Sequence, residues 1–308
     1  MKNFRLVTRS DFDGLVCAVL LNHVDVIDEI KFVHPKDMQD GKIEITANDI
    51  TTNLPYVPGV YLAFDHHLSE TKRNQGTRKN HIIDPDARSA ARVVFDHYGG
   101  NATFPRAWNG MMLAVDKSDS AQFSMEDVLN PQGWDLLNFL MDPRTGLGRF
   151  REFRISNYQL MMDLIDYCRD HEIEAILKLP DVVERSDLYL AHKSKFEDQI
   201  KRCSTVHKNL VVLDLRNEDT IYAGNRFMIY ALYPQCNISI HVLWGFNRQN
   251  TVFATGKSIF DRNSKTNVGE LMLKWGGGGH QAAGTCQIDN EKSTAVLQDL
   301  IEEITVDG

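Results

Sequence analysis

The chain has 308 residues, 43% hydrophobic and 25% charged, with a net charge of −8 when histidine is counted as neutral. That is an ordinary globular balance, long enough for two domains whose cores need no disulfide staples. The acidic surplus argues against a protein that coats long nucleic acid, which would read basic; a short fragment held in a local pocket stays compatible.

The five cysteines, Cys17, Cys168, Cys203, Cys236 and Cys286, are scattered and show no CxxC pair. That pattern fits reduced thiols in a cytosol. Asp11 interrupts the start before any long apolar run, which argues against a cleaved signal peptide. Leu15 to Val24 is too short to span a bilayer and is broken by Asn22 and His23. A cytoplasmic protein without a membrane partner is expected.

In chain order, Phe4 to Thr8 reads as a strand and Leu15 to Val24 as a buried helix. Ile43 to Ala47 and Val60 to Phe64 read as further strands, and Ser89 to His97 as a helix stopped by Gly99-Gly100. Alternation at this spacing predicts a parallel α/β sheet. From Ile155 the pattern turns helical, and the charged run Asp181 to Arg202 behind Pro180 reads as a connecting helix. Strands return at Leu210 to Leu215, Ile238 to Phe246 and Thr251 to Ala254. A helix at Val268 to Trp275, a glycine run, a strand and a helix at Thr294 to Ile304 close the chain.

In parallel sheets ligands sit beyond the carboxyl ends of the strands. Each predicted strand of the first half is followed there by acidic or histidine residues: Asp11 and Asp13, then Asp49, then Asp65-His66-His67. Asp11 and Asp13, followed by Gly14, can point into one crevice, where a divalent cation removes their repulsion; a solvated turn or a helix N-cap is the alternative. Each histidine behind Asp65 suits a metal ligand or a general acid/base. Asp116 closes the apolar run Met111 to Val115 in the same manner as Asp49. Oxygen ligands with one nitrogen suit Mn²⁺ or Mg²⁺ better than zinc.

Four consecutive glycines, Gly276 to Gly279, precede His280. Such a run lets backbone N–H groups approach a phosphate, and it also occurs as a helix C-cap turn. The phosphate reading is preferred because four glycines are entropically wasteful for a turn. Gly256-Lys257-Ser258 imitates the tail of a P-loop, but Thr251 stands where the first glycine belongs. Arg262 suits a phosphate or a surface position, and Trp244, Phe246, Phe253 and Phe260 read as sheet core before base-stacking platforms.

Together, DFDG at Asp11 to Gly14, DHH at Asp65 to His67 and GGGGHQAAG at Gly276 to Gly284 resemble the DHH phosphoesterase superfamily with its DHH-associated C-terminal domain. The resemblance covers nearly the whole chain. It implies an α/β fold: a parallel-sheet DHH domain (1–180), a helical linker (181–205) and a smaller mixed-sheet C-terminal domain (206–308), with the active site in the interdomain cleft. It also implies that Asp11 ligates a first manganese, that Asp13, His66 and Asp116 ligate a second, and that Asp49 bridges them. One or two Mn²⁺ ions are expected, Mg²⁺ being the other candidate. Asp65 and His67 would be catalytic, and Arg88, Ser89, Arg262, Gly277, Gly278, Gly279 and His280 would bind substrate.

One position departs. The family's first motif usually carries a histidine two residues before its first aspartate, and here Arg9 stands in that place. A guanidinium cannot ligate a metal, so either the first metal binds weakly or only with substrate, or Arg9 joins the catalytic residues by clamping a phosphate with its donor fork; an Arg9 that points away is the remaining alternative.

The expected function is metal-dependent hydrolysis of short oligonucleotides in the manner of a nanoRNase. The alternatives are 3'-phosphoadenosine 5'-phosphate, polyphosphate or cyclic dinucleotides as substrates, and a non-catalytic nucleotide-binding member. A homodimer is compatible with the sequence.

Overall fold

The computed structural model describes residues 3–67, 70–71 and 78–308. The chain divides into two compact units, the first running to Gln122 and resuming over Pro131–Asp187, the second comprising Phe123–Asn130 and Leu188–Gly308.

The first unit is built on five parallel strands: β1 (Phe4–Arg9), β2 (Ile27–Val33), β3 (Asp49–Thr52), β4 (Leu62–Asp65) and β5 (His81–Ile83). Their order is β2-β1-β3-β4-β5, so the connections reverse direction between β1 and β3. A doubly wound sheet opens a crevice at such a reversal, beyond the carboxyl ends of the strands. The ends of β1 and β3 are stitched there: the Thr52 hydroxyl donates to Thr8 Oγ1 at 2.7 Å, and that of Thr8 to the Thr52 carbonyl at 3.2 Å. The helix Phe12–His23, buried from Phe12 to Leu21, crosses from β1 to β2.

Two strand assignments differ from the sequence reading. β2 lies in IDEIKFV, where Glu29 and Asp28 are exposed while Ile27, Phe32 and Val33 are buried. Ile43 to Ala47 is not a strand. Ile43 and Ile45 pack instead on a small cluster of Val7, Val33, Met38 and Leu54, so their alternation records a loop lying on the core.

The second unit carries a six-stranded sheet in the order β10-β11-β9-β8-β7-β6. Its strands are β6 (Ser204–His207), β7 (Leu210–Asp214), β8 (Ile238–Trp244), β9 (Thr251–Lys257), β10 (Gly278–His280) and β11 (Ala283–Ile288). Among these described strands only β7 and β8 run parallel, so the sheet is mixed. Val268, Leu271 and Met272 of one helix, and Val296, Leu300 and Ile304 of another, fill the core over it at helical spacing.

One helix, Pro180–Cys203, belongs to both units. In its first half Arg185, fully buried, donates to Asn157 Oδ1 and the Ile155 carbonyl. In its second half Gln199 donates to Glu218 and the Thr220 carbonyl. Residues 123–130 join the second unit through Asn225 Nδ2 donating to the Val128 carbonyl at 3.4 Å. No helix among the described residues is long and apolar enough to cross a membrane, and all five cysteines are free thiols.

Candidate metal centre

Asp11 and Asp13 lie where β1 hands over to its helix. Asp11 is the N-cap: its Oδ1 accepts from the Gly14 backbone N–H at 3.0 Å and from Asn53 Nδ2 at 3.3 Å. Its Oδ2 lies 2.8 Å from Arg9 Nε. Gly14 is required by close approach, because a Cβ there would lie 1.9 Å from the Arg9 carbonyl oxygen. We expect Gly14→Ala to destabilise the protein by about 3 kcal/mol, read as a lowered urea midpoint at unchanged m-value.

Asp13 is 2% exposed and accepts from the Ala90 and Ala91 backbone N–H groups at 3.0 and 2.8 Å. Those donors open the helix Ala90–His97, whose N-terminal dipole favours an anion. Burial and the nearby Asp119 charge nevertheless push the Asp13 carboxyl up to about 7. Burial likewise raises Asp11, with Arg9 opposing it.

The DHH segment ends β4. Asp65, 1% exposed, accepts on Oδ1 from the His67 ring Nδ1–H at 2.7 Å and from the His66 backbone N–H at 2.8 Å. Its other oxygen, Oδ2, is buried without a hydrogen-bond partner. The Asp65 contact leaves Nε2 of His67 as the outward nitrogen of a ring 39% exposed. Burial pulls the His67 pKa down, but Asp65 outweighs it and the net shift is upward.

His66 Nδ1 lies 3.3 Å from the Ala87 carbonyl, an acceptor only, so that nitrogen carries the proton. In the neutral ring Nε2 is then a bare lone pair, and it sits 2.9 Å from Asp119 Oδ2 with no hydrogen-bond alignment. Two electron-rich atoms at that distance need a proton or a cation between them. Without a metal the proton fills the role: burial lowers the His66 pKa, but Asp119 overrides it and holds it at about 9. Burial raises Asp119, and His66 more than reverses this.

Asp13, His66 and Asp119 present ligand atoms all within 4.8 Å of one another. This donor set of carboxylate oxygens and one imidazole fits a divalent ion such as Mn²⁺ or Mg²⁺.

Several expected residues stand elsewhere. Asp49 begins β3 instead of following a strand, and pairs with Arg5 at the amino end of the sheet. Roughly four residues of strand, about 13 Å, separate that end from the crevice. Asn53 takes the place at the carboxyl end, with φ of 54°. Asp116 lies inside the helix Asn109–Asp119 and is consumed by Ser89 Oγ at 2.8 Å and by Arg92 Nη2 at 2.6 Å. One turn on, Asp119 occupies the cluster. Ser89 is fully buried as the N-cap of the helix Ala90–His97, which removes it from substrate contact; Arg88 beside it is exposed.

The glycine run is not an open nest. Gly278–His280 is the edge strand β10 paired with β11, and the Gly277 N–H donates to the Met272 carbonyl. A Cβ at Gly277 would lie 2.2 Å from the Thr285 carbonyl oxygen, so close packing explains that glycine. His280 accepts on Nδ1 from the Ala282 N–H at 3.2 Å, placing its proton on the exposed edge at Nε2. Arg262 is exposed and donates from Nε to the Ile259 carbonyl. Phe253 is core, Trp244 donates to the Arg216 carbonyl, and Phe246 is 79% exposed.

No family model and no curated protein matches the chain. Among solved structures, PggH, a pGpG-specific phosphodiesterase from Vibrio cholerae, is 64% identical over 99% of this chain and 100% of that chain, with a TM-score of 0.86. RecJ in complex with Mn²⁺ from Thermus thermophilus is 13% identical over 99% of this chain and 52% of that one, with a TM-score of 0.48. The chain belongs to the DHH phosphoesterase superfamily. Its two-unit α/β architecture is that of the family.

Proposed function

We propose that the chain is a metal-dependent phosphodiesterase acting on linear 5'-phosphorylated dinucleotides of the pGpG type, within the broader class of short oligonucleotides. The single observation that carries this reading is 64% identity to a pGpG-specific phosphodiesterase over the full length of both chains. The paired acidic and histidine groups at the β1/β3 reversal support it chemically.

Asp13, His66 and Asp119 would hold the ion. When bound, Mn²⁺ or Mg²⁺ supplies Lewis acidity toward water and phosphate oxygens. The free Nη groups of Arg9, whose Nε faces Asp11, would pair with the attacked phosphate. His67, oriented by Asp65, would give its Nε2 proton to the departing 3'-oxygen. Water adds to phosphorus, the P–O3' bond breaks, and pGpG becomes two molecules of pG.

The test is a substrate panel with Mn²⁺: pGpG, longer RNA, 3'-phosphoadenosine 5'-phosphate, polyphosphate and a cyclic dinucleotide. We expect the highest kcat/KM on pGpG. Preference for a monoester or for polyphosphate would refute the reading.

Metal binding must displace protons from Asp13, at about 7, and His66, at about 9. Mn²⁺ should therefore raise Tm more at pH 8 than at pH 6. The metal-free protein runs the other way. The raised Asp13 pKa means the folded state holds that proton above pH 4, where the unfolded chain has lost it, so this contribution falls from about pH 4 to 7. The raised His66 pKa adds stability that is complete below about 6.5 and lost as pH rises through 9. Thermal melts with EDTA or Mn²⁺ across this range check both signs.

A further inference from the structure

We infer that Arg144 is a specificity-determining residue that receives the terminal, uncleaved phosphate of a 5'-phosphorylated dinucleotide. The inference rests on the dinucleotide reading above.

Arg144 stands in the turn Pro143–Thr145, directly after the helix Gly133–Met141. That helix packs on the one bearing Asp119, and Lys117 joins Asp135 across them at 2.7 Å. The turn is fixed by Asp142, whose Oδ1 accepts from the Arg144 backbone N–H at 2.9 Å and from its Nε at 2.7 Å. Both terminal amino groups of the guanidinium remain without a partner among the described residues, and 46% of the side chain is exposed. Arg9 repeats the arrangement at Asp11, with Nε on the carboxylate and its fork unspent. Burial lowers the Arg144 pKa, but Asp142, and then Asp11 and Asp119, raise it above the usual arginine value. The guanidinium is thus within electrostatic reach of the metal cluster without belonging to it. Arg149 adds charge to the same turn: it folds over Gly146, where a Cβ would lie 1.8 Å from its Nη1, and has no acidic partner among the described residues.

A 5'-phosphorylated dinucleotide carries two different phosphates. The internal diester has one charge and is the one attacked, so it belongs with the metal ligands and Arg9. The terminal monoester carries about −1.5 to −2 at pH 7 and must be met by something other than a carboxylate cluster. A planar fork whose Nε is already anchored loses little freedom on binding two phosphate oxygens. Arg144, held by its own aspartate outside the cluster, has that form.

The experiment compares pGpG with GpG, which lacks only the terminal phosphate, using the full chain and the variants Arg144→Met and Arg144→Lys. For wild type and each variant we would measure kcat/KM with Mn²⁺, calorimetric affinity in EDTA, and Tm. The expected result is a loss of about ten- to a hundredfold in pGpG preference over GpG for Arg144→Met, mostly in KM. Affinity for pGpG in EDTA should fall in parallel, and Arg144→Lys should lie between. Equal losses on both dinucleotides, or no loss on either, would overturn the assignment. A wild-type protein that hydrolyses neither would sink the dinucleotide reading by itself, while the EDTA affinities would still decide whether Arg144 recognises a terminal phosphate.

Discussion

Replacing Asp119 by asparagine is expected to lower kcat/KM by on the order of 10³-fold, with Mn²⁺ affinity falling in step. Disturbing a group that only orients a metal ligand costs about 10- to 100-fold, and removing one of three clustered donors costs more. Asp119 lies 2.9 Å from His66 Nε2 and shares the Asp13 cluster, so its charge is the one a cation would meet. Asp116→Asn is the informative control. Asp116 is buried against Ser89 and Arg92, so its loss should cost stability, about 2 kcal/mol, while activity per folded molecule stays within about tenfold. The opposite ranking, with Asp116 essential and Asp119 dispensable, would reverse the assignment of the helix Asn109–Asp119. Titration calorimetry with Mn²⁺ and urea melts of both variants separate the two effects.

The second large effect is expected at His67. His67→Asn should reduce kcat by about 10²- to 10⁴-fold with little change in Mn²⁺ affinity, the range for a lost general acid. The Asp65–His67 contact at 2.7 Å fixes the ring, and its outward Nε2 is the atom placed to donate. A leaving group that needs no proton supplies a sharp check. On a p-nitrophenyl phosphodiester the variant should lose less than about tenfold. An equal loss on both substrates would mean that His67 positions the phosphate and moves no proton.

Much of this site is legible in the sequence, and the misses have physical causes. DFDG and DHH are visible because each follows a short apolar run and so marks the end of a buried strand; β1 and β4 do end there. Asp49 misleads because the alternation in Ile43 to Ala47 resembles a strand, whereas those isoleucines cover the small core from a loop. Asp116 misleads in a related way. The run Met111 to Val115 is one buried part of a helix, and in a helix the residues at i and i+3 share a side. Asp116 and Asp119 therefore both look inward, one to Arg92 and the other to His66. Sequence order alone cannot say which. Asn53 has no signal of its own, being a neutral amide at the end of a strand that only the fold puts beside Asp11. Arg144 is hidden similarly, since an arginine in a turn is ordinary until its donors are counted.

Arg9 takes a definite position. At the place of the family's usual histidine it sets Nε against Asp11 and leaves its fork open, which keeps Asp11 paired where a neutral imidazole would have offered a ligand nitrogen. The donors that cluster are those of Asp13, His66 and Asp119.

The most direct test of the central claim is anomalous diffraction at the manganese edge from crystals of this protein grown with Mn²⁺. The account predicts a peak within ligand distance of an Asp13 oxygen, His66 Nε2 and an Asp119 oxygen. A fully occupied manganese bound elsewhere, with His66 Nε2 still facing Asp119 alone, would contradict it.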